Sequence, residues 1–196
     1  MSEPARDSDL TLVQATKAGN DTAFGKLVKK YQKKVYYLAY DLIGDYDDAN
    51  DIAQMAFIRA FEKIHQFEER ARFSTWLYRI TVNLAMDQHR RRKRRPHESL
   101  DDNIREVERQ KKDEQFEAGR QSERDLQTGA QREHIDAALQ KLSEHQRTAT
   151  VLKYFHQKSS KEIAEILGCS ESTARIHLFR ALRNLKKYLQ DVQDAL

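Results

Sequence analysis

The fold of this chain is decided by residues 159–182, SSKEIAEILGCSESTARIHLFRAL. Ser159 followed by Glu162 is a capping box, which begins a helix, and Gly168 is the residue type that ends one. Ser170 then begins a second helix after the short turn Gly168-Cys169-Ser170. Two helices joined in this way are typical of a helix-turn-helix, whose second helix enters the DNA major groove.

The second of these helices has a basic outer face. Between Ser172 and Lys187 the chain carries five Lys or Arg and no Asp or Glu. A solvated face would be expected to mix both signs of charge, so DNA is the favoured partner and a plain solvated helix pair is the alternative. Arginine on such a face can pair with guanine or hold phosphate. The outer positions are Ser172, Arg175, Ile176, Phe179, Arg180 and Arg183, and the inner ones are Ala174, Leu178, Ala181, Leu182, Leu185 and Leu189.

The composition predicts an all-α protein of two small helical domains. Among 196 residues there are only six Gly and two Pro, and 34% of the residues are charged. A single cysteine, Cys169, excludes an internal disulfide and suits a reducing cytoplasm. The histidines are scattered without ligand spacing, so we expect no metal and no cofactor. We expect neither a membrane span nor a signal peptide, and therefore no insertion into a membrane.

Three further helices are predicted before residue 96. Apolar residues recur every three or four positions from Phe24 to Leu42, after a cap at Asp21 and before Gly44. The same spacing runs from Ala49 to Ile64, and again from Phe73 to Leu84 in a helix beginning near Ser74. A shorter helix, Leu10 to Lys17, precedes them.

A charged segment divides the chain. Residues 73–95 hold seven basic residues and one acid, ending in six consecutive Lys or Arg at 90–95, whose likeliest counter-charge is nucleic acid. From 96 to 130 the apolar periodicity disappears, which indicates an acidic flexible linker. We therefore expect domains at 1–95 and 131–196. The second begins with an apolar face at Ile135, Ala138, Leu139 and Leu142, followed by a capping box at Ser143 and Gln146.

Two other surfaces are candidates for binding. The helix at 49–64 has an outer side that mixes acids with apolar side chains and suits a protein partner, although an ordinary acidic surface is the alternative. Its members are Asp48, Asp51, Gln54, Met55 and Ile58. Aromatic and Arg residues mix between Phe67 and Trp76, a combination that stacks on unpaired bases, but taken alone these residues favour the alternative in which Phe73 and Trp76 cap a helical core.

The motifs that carry these features resemble those of the bacterial extracytoplasmic-function sigma factors. They are DDANDIAQMAF at 47–57, FSTWLYRITVN at 73–83, KEIAEILG at 161–168, TAR at 173–175 and LFRAL at 178–182. The order and spacing of the motifs match regions two and four of that family. In the recognition helix this chain has Ser172-Thr-Ala where many members have Gly-Thr-Val.

The resemblance implies a promoter-specificity subunit without catalysis of its own. Its implied partners are core RNA polymerase, through the β′ clamp helices and the β flap, promoter DNA, and an anti-sigma factor. The implied core-binding face is Asp48, Asp51, Gln54, Met55 and Ile58. Implied contacts to the opened −10 element, including a flipped base, are Phe67, Arg72, Phe73, Arg79, Asn83 and Arg90. The −35 element would be read by Ser172, Arg175, Ile176, Phe179, Arg180 and Arg183.

Two other classes of protein compete with this interpretation. A self-sufficient helix-turn-helix regulator would bind duplex DNA tightly without polymerase, usually as a dimer reading two half-sites. An enzyme acting on nucleic acid would need a carboxylate cluster, a Cys-His pair or a Gly-rich phosphate loop, and the sequence offers none of these motifs.

Overall fold

The computed structural model describes residues 4–94, 135 and 137–193. The described residues form helices and turns and no strands, so the all-α prediction is confirmed. The predicted linker at 96–130 lies outside the described residues. The helices are α1 (Pro4–Lys17), α2 (Asp21–Ile43), α3 (Tyr46–Glu62), a 3₁₀ turn (Ile64–Gln66), α4 (Phe73–Arg94), α5 (Glu144–Thr150), a π-helical turn (Val151–Phe155), α6 (Ser160–Leu167) and α7 (Glu171–Gln193).

Helices α1 to α4 form the first bundle around a shared apolar core. Leu27, Val35 and Leu38 of α2 are fully buried, and Phe73 and Leu77 of α4 pack into the same core. The helix ends follow local chemistry. Gly44 ends α2 in the left-handed conformation, as predicted, with φ 73°. The predicted cap at Asp21 is wrong by one residue, because Asn20 accepts the hydrogen bond from the Ala23 amide and Asp21 lies in the first turn.

The second half contains the predicted helix-turn-helix, formed by α6 and α7. The Ser159 and Glu162 capping box is present, and Gly168 ends α6 with φ 67°. The capping box predicted at Ser143 and Gln146 is not: Ser143 precedes α5 but makes no side-chain cap hydrogen bond. Leu182 and Leu189 were also wrongly assigned to the core, since they are 47% and 43% exposed. The short helices α5 and α6 cover only the stripe of α7 that contains Ala174, Leu178 and Ala181.

The two halves pack against each other through α4 and α6. The ammonium of Lys158 lies 4.7 Å from the ring centroid of Tyr78, which is buried. Burial lowers the pKa of Lys158, and the nearby Glu162 carboxylate partly opposes that shift. Burial, with a smaller contribution from Glu162, raises the pKa of Tyr78 to about 12. Tyr78 therefore remains protonated at neutral pH.

Buried polar contacts fix this arrangement of the two halves. His156 Nε2 lies 2.9 Å from Asp41 Oδ2, with side-chain exposures of only 10% and 2%. The buried Arg147 donates to Gln140 Oε1 over 2.6 Å and lies 3.1 Å from Nε2 of His89. Polar groups removed from water need such partners, so these pairs favour one relative placement over others.

The capping box makes a measurable prediction for stability. The Glu162 amide is bonded to Ser159 Oγ at 3.2 Å, and Glu162 Oε2 accepts from the Ser159 amide at 2.9 Å. Replacing Ser159 with Ala should lower the free energy of unfolding by about 1 kcal/mol, measured by urea denaturation. Ser143→Ala is the matched control and should change it much less, because Ser143 makes no cap bond.

The same site sets a pH dependence. Burial would raise the pKa of Glu162, but the hydrogen bonds from Ser159 and the charges of Lys158 and Arg72 outweigh it and hold the pKa below the ordinary 4.5. The stabilisation is therefore complete above pH 4.5 and is lost as the pH falls through the lowered folded-state pKa. If Ser159→Ala lowered the free energy of unfolding as much well below that pKa as it does at neutral pH, the result would contradict this assignment.

Contacts between the halves predict a second outcome. Replacing His156 with Ala leaves the buried Asp41 carboxylate without its imidazole, which favours separation of the halves. The radius of gyration measured by small-angle X-ray scattering should increase. The exposed His65 provides a matched His→Ala control that should leave it unchanged. An unchanged radius in the His156 variant would show that this buried contact does not hold the two halves together.

Candidate polymerase and nucleic-acid interface

The outer side of α3 displays four of the five residues predicted to contact a protein partner. Asp51, Gln54, Met55 and Ile58 are exposed along this side of the helix. Met55 is 43% exposed and Ile58 50%, although both are large apolar side chains. Apolar residues next to an acid, without a covering helix, form a surface that a protein partner can bury.

Asp48 occupies a different environment from the other four. Its carboxylate forms an ion pair with Arg92 of α4 and accepts a hydrogen bond from Gln88 Nε2 over 3.2 Å. Arg92 also approaches Asp45, at 3.5 Å. The half-buried Asp48 thus ties the start of α3 to the basic end of α4 before any partner binds.

The loop between the 3₁₀ turn and α4, residues 67–72, rests on an aromatic floor. Phe67 and Phe73 are buried and meet edge to face, with ring centroids 6.0 Å apart at 88°. The ring centroids of Trp76 and Phe67 lie 5.1 Å apart. Phe67 and Phe73 are therefore core residues in this conformation. This agrees, for Phe73, with the alternative interpretation of the sequence, in which Phe73 and Trp76 cap a helical core. Arg72 is exposed beside them.

The exposed side of α4 carries Arg79, Asn83 and Arg90, one or two turns apart. Two of the three face the second half of the chain. A Cβ added at Gly168, in the turn of the helix-turn-helix, would lie 3.2 Å from Nη2 of Arg79. Arg90 Nε lies 3.4 Å from Glu144 Oε2 at the start of α5. We call this packing of the two halves the closed arrangement. In it, the second half of the chain contacts cationic groups that the sequence analysis assigned to DNA.

The outer face of α7 is open. All six predicted residues, from Ser172 to Arg183, are exposed. Phe179 is 68% exposed and Ile176 48%, which is unusual for large apolar side chains in a face without a partner. Arg175 is paired with Glu171, one turn earlier, at 2.5 Å. This local pair is solvated and can exchange for a base or phosphate at little cost.

Histidine stacking was not anticipated from the sequence. His145 of α5 and His177 of α7 stack with ring centroids 5.3 Å apart at 23°. Burial, then the charges of His145 and Arg180, lower the pKa of His177. The imidazole is therefore neutral at pH 7 and packs α7 against α5 without adding charge to the recognition face.

Over the part of the chain that the structure describes, no cluster of three or more His, Cys, Asp or Glu residues could hold a metal ion. No helix in that part is long and apolar enough to cross a membrane. The site consists of exposed cations, exposed apolar groups and buried polar braces, an arrangement suited to binding.

Family models match both halves of the chain. The Sigma-70 region 2 model matches residues 27–95, and the Sigma-70 region 4 model matches residues 132–185. Together these segments cover α2 to α4 and α5 to most of α7. Helix α1 lies before the first matched segment.

Curated relatives match over nearly the whole chain. The ECF RNA polymerase sigma factor SigW of Bacillus subtilis is 36% identical over 181 residues, covering 92% of this chain and 96% of the relative. The RNA polymerase sigma-H factor of Pseudomonas aeruginosa is 34% identical over 192 residues, covering 94% and 95%.

Solved structures share the fold. CnrH in complex with the cytosolic domain of CnrY matches with a TM-score of 0.68 and 23% identity, over 94% of this chain and 99% of that one. The sigma factor RpoE of Bartonella quintana, in complex with the anti-sigma factor NepR, matches with a TM-score of 0.60 and 22% identity, over 85% and 96%. With two family models in order and relatives above 30% identity over their full lengths, the chain belongs to the extracytoplasmic-function family of RNA polymerase sigma factors.

Proposed function

We propose that this chain binds core RNA polymerase, directs it to promoters with a −10 and a −35 element, and opens the DNA. The observation that carries the proposal is the conjunction of two exposed surfaces of different chemistry. The outer side of α3 is acidic and apolar, whereas the outer faces of α4 and α7 are basic. One suits a protein and the others suit a polyanion.

Within this proposal the domain at 1–95 is region two, and the domain at 131–196 is region four. Asp51, Gln54, Met55 and Ile58 contact the β′ clamp helices, while Asp48 holds α4 in place beside them. Arg72, Arg79, Asn83 and Arg90 contact the −10 strand above the floor formed by Phe67 and Phe73. The outer face of α7 contacts the −35 element, and region four binds the β flap. The chain acts in the cytoplasm and performs no catalysis of its own.

Promoter binding requires the closed arrangement to open. Arg79 and Arg90 face the turn before α7 and Glu144, so the second half competes with a DNA strand for both cations while the halves are in contact. A linker of about 35 residues spans up to roughly 115 Å when extended, enough for two separate promoter elements. Polymerase supplies the spacing, and the two weak readers become jointly specific.

An anti-sigma factor is the proposed negative regulator. RpoE of Bartonella quintana was solved with such a partner. A protein that covers the outer side of α3 would block polymerase, and the exposed apolar side chains there suit such a partner.

Polymerase-dependent run-off transcription on a randomised promoter library tests the function as a whole. The expected product is a pair of enriched elements at fixed spacing, seen only when core polymerase is present. A self-sufficient regulator would instead retain one duplex site, or two half-sites, without polymerase. Enrichment of such sites would overturn the proposal.

The proposed core-binding side makes a direct prediction. Asp51→Lys combined with Ile58→Ala should weaken binding to core polymerase at least about tenfold, because an apolar anchor and a favourable charge are lost together. Binding is measured by fluorescence anisotropy in the absence of DNA. Asp87→Lys, an equal charge reversal of an exposed acid on α4, is the control and should bind normally. Unchanged binding by the double variant would exclude this side of α3.

The recognition face predicts an effect on sequence preference. Arg180→Ala should relax the preference at one or two adjacent positions of the selected −35 element, with a loss of about 1–3 kcal/mol for the preferred base. Repeating the library selection with this variant measures that change. Lys161→Ala, an exposed cation at the start of α6, is the matched control. A uniform loss across all sequences would assign Arg180 to phosphate instead.

A further inference from the structure

One lysine outside the matched segments holds the loop at 67–72. Lys17, the last residue of α1, donates a hydrogen bond of 2.7 Å from Nζ to the carbonyl oxygen of Phe67. The same ammonium lies 3.3 Å from Glu69 Oε1 and 5.8 Å from the Phe67 ring centroid. Three contacts from one side chain thus converge on the start of the loop.

The loop needs an external constraint of this kind. Glu69 adopts a left-handed backbone conformation with φ 61°, which residues with a Cβ adopt at a cost. On one side, the Phe67 amide closes the 3₁₀ turn onto Ile64 O at 3.1 Å. On the other, the Trp76 amide bonds to Arg72 O at 3.1 Å in the first turn of α4. Between these ends, the Lys17 ammonium bonds to both Phe67 and Glu69 and so opposes relaxation of the intervening backbone.

Helix α1 is itself anchored to the floor of the loop. Val13 is fully buried, and Asp9 accepts hydrogen bonds of 2.5 Å from Tyr31 Oη and from Lys30 Nζ. Burial and the hydrogen bond to Asp9 raise the pKa of Tyr31, which therefore remains a donor. The Tyr31 ring lies 5.8 Å from Phe73, centroid to centroid. Helix α1, which carries Lys17, is therefore anchored through Tyr31 to the aromatic residues that underlie the loop.

We propose that Lys17 is a positioning residue that presets the 67–72 loop to receive the base flipped from the −10 element. The inference rests on the proposed −10 contact of this loop. The bond from a charged donor to the Phe67 carbonyl is the important contact, since a half-solvated pair with Glu69 contributes little. A loop already held in its binding conformation loses less conformational entropy when the base enters.

The test uses holoenzyme assembled from core polymerase and the full chain. The probes are fluorescent single strands carrying the −10 sequence selected from the promoter library, with an abasic site placed at each position in turn. The measured quantity is the loss of affinity that each abasic site causes. Lys17→Gln removes the charged donor, whereas Lys17→Arg retains one. Lys26→Gln, at an exposed lysine of α2, is the matched control.

With the unaltered chain, one position should show a penalty of about tenfold or more for a missing base. Lys17→Gln should reduce that penalty to about twofold or less while leaving affinity for the abasic strand unchanged. Lys17→Arg and Lys26→Gln should preserve it. Core binding and the melting temperature are measured beside each variant.

Two results would overturn the role of Lys17 alone. In the first, Lys17→Gln keeps the full penalty, whatever its melting temperature, so that Lys17 only stabilises the fold. In the second, Lys17→Gln weakens binding to every strand equally, which assigns the lysine to phosphate. A third result concerns the proposed site itself: if the unaltered holoenzyme shows no penalty at any position, the loop does not receive a base, and both proposals fail.

Discussion

The burial of the inner side of α4 is the constraint on which the rest of the structure depends. Phe73, Leu77 and Val82 are at most 1% exposed in the core shared with α1 to α3, and this fixes the rotation of the helix about its axis. Once that rotation is set, Arg79 and Asn83 fall on the remaining, outward arc of the helix, which Arg90 shares. Contacts at Tyr78 and Gly168 then determine where α6 packs against α4. The buried side of α4 therefore sets both the proposed DNA-facing side and the contact with the second half.

The closed contact and the proposed DNA contacts draw on the same cations. Arg90 lies near Glu144, and Arg79 lies against the turn at Gly168. These contacts are individually weak at the solvated edge, but Asp41 with His156 adds a buried pair at the centre. Polymerase and promoter must therefore supply enough binding free energy to replace them. In the proposed function, this competition weakens DNA binding by the free protein without any change within either helical half.

Local chemistry explains which features the sequence could predict. The ends at Gly44 and Gly168 and the box at Ser159 depend on neighbouring residues, so they were predicted correctly. Leu182 and Leu189 continue the apolar period of α7 beyond the reach of α5 and α6, so periodicity alone misplaced them. Long-range contacts gave no signal: Lys17 lies 50 residues from Phe67, and Asp41 lies 115 from His156. The sequence pattern placed Asp48 and four other α3 residues in one protein-binding surface. Only the fold shows that the Asp48 carboxylate forms an ion pair with Arg92.

The turn between α6 and α7 has a consequence for divergence within the family. Its geometry is set by the left-handed Gly168 and by Ser170, whose Oγ accepts a hydrogen bond of 3.1 Å from the Thr173 amide, and not by Phe179, Arg180 or Arg183. Phe179, Arg180 and Arg183 are exposed and can be exchanged without leaving a cavity or an unpaired buried group. Mutations there are consequently close to neutral for folding. The residues proposed to read the −35 element can therefore change while Gly168 and Ser170 keep the turn that presents them.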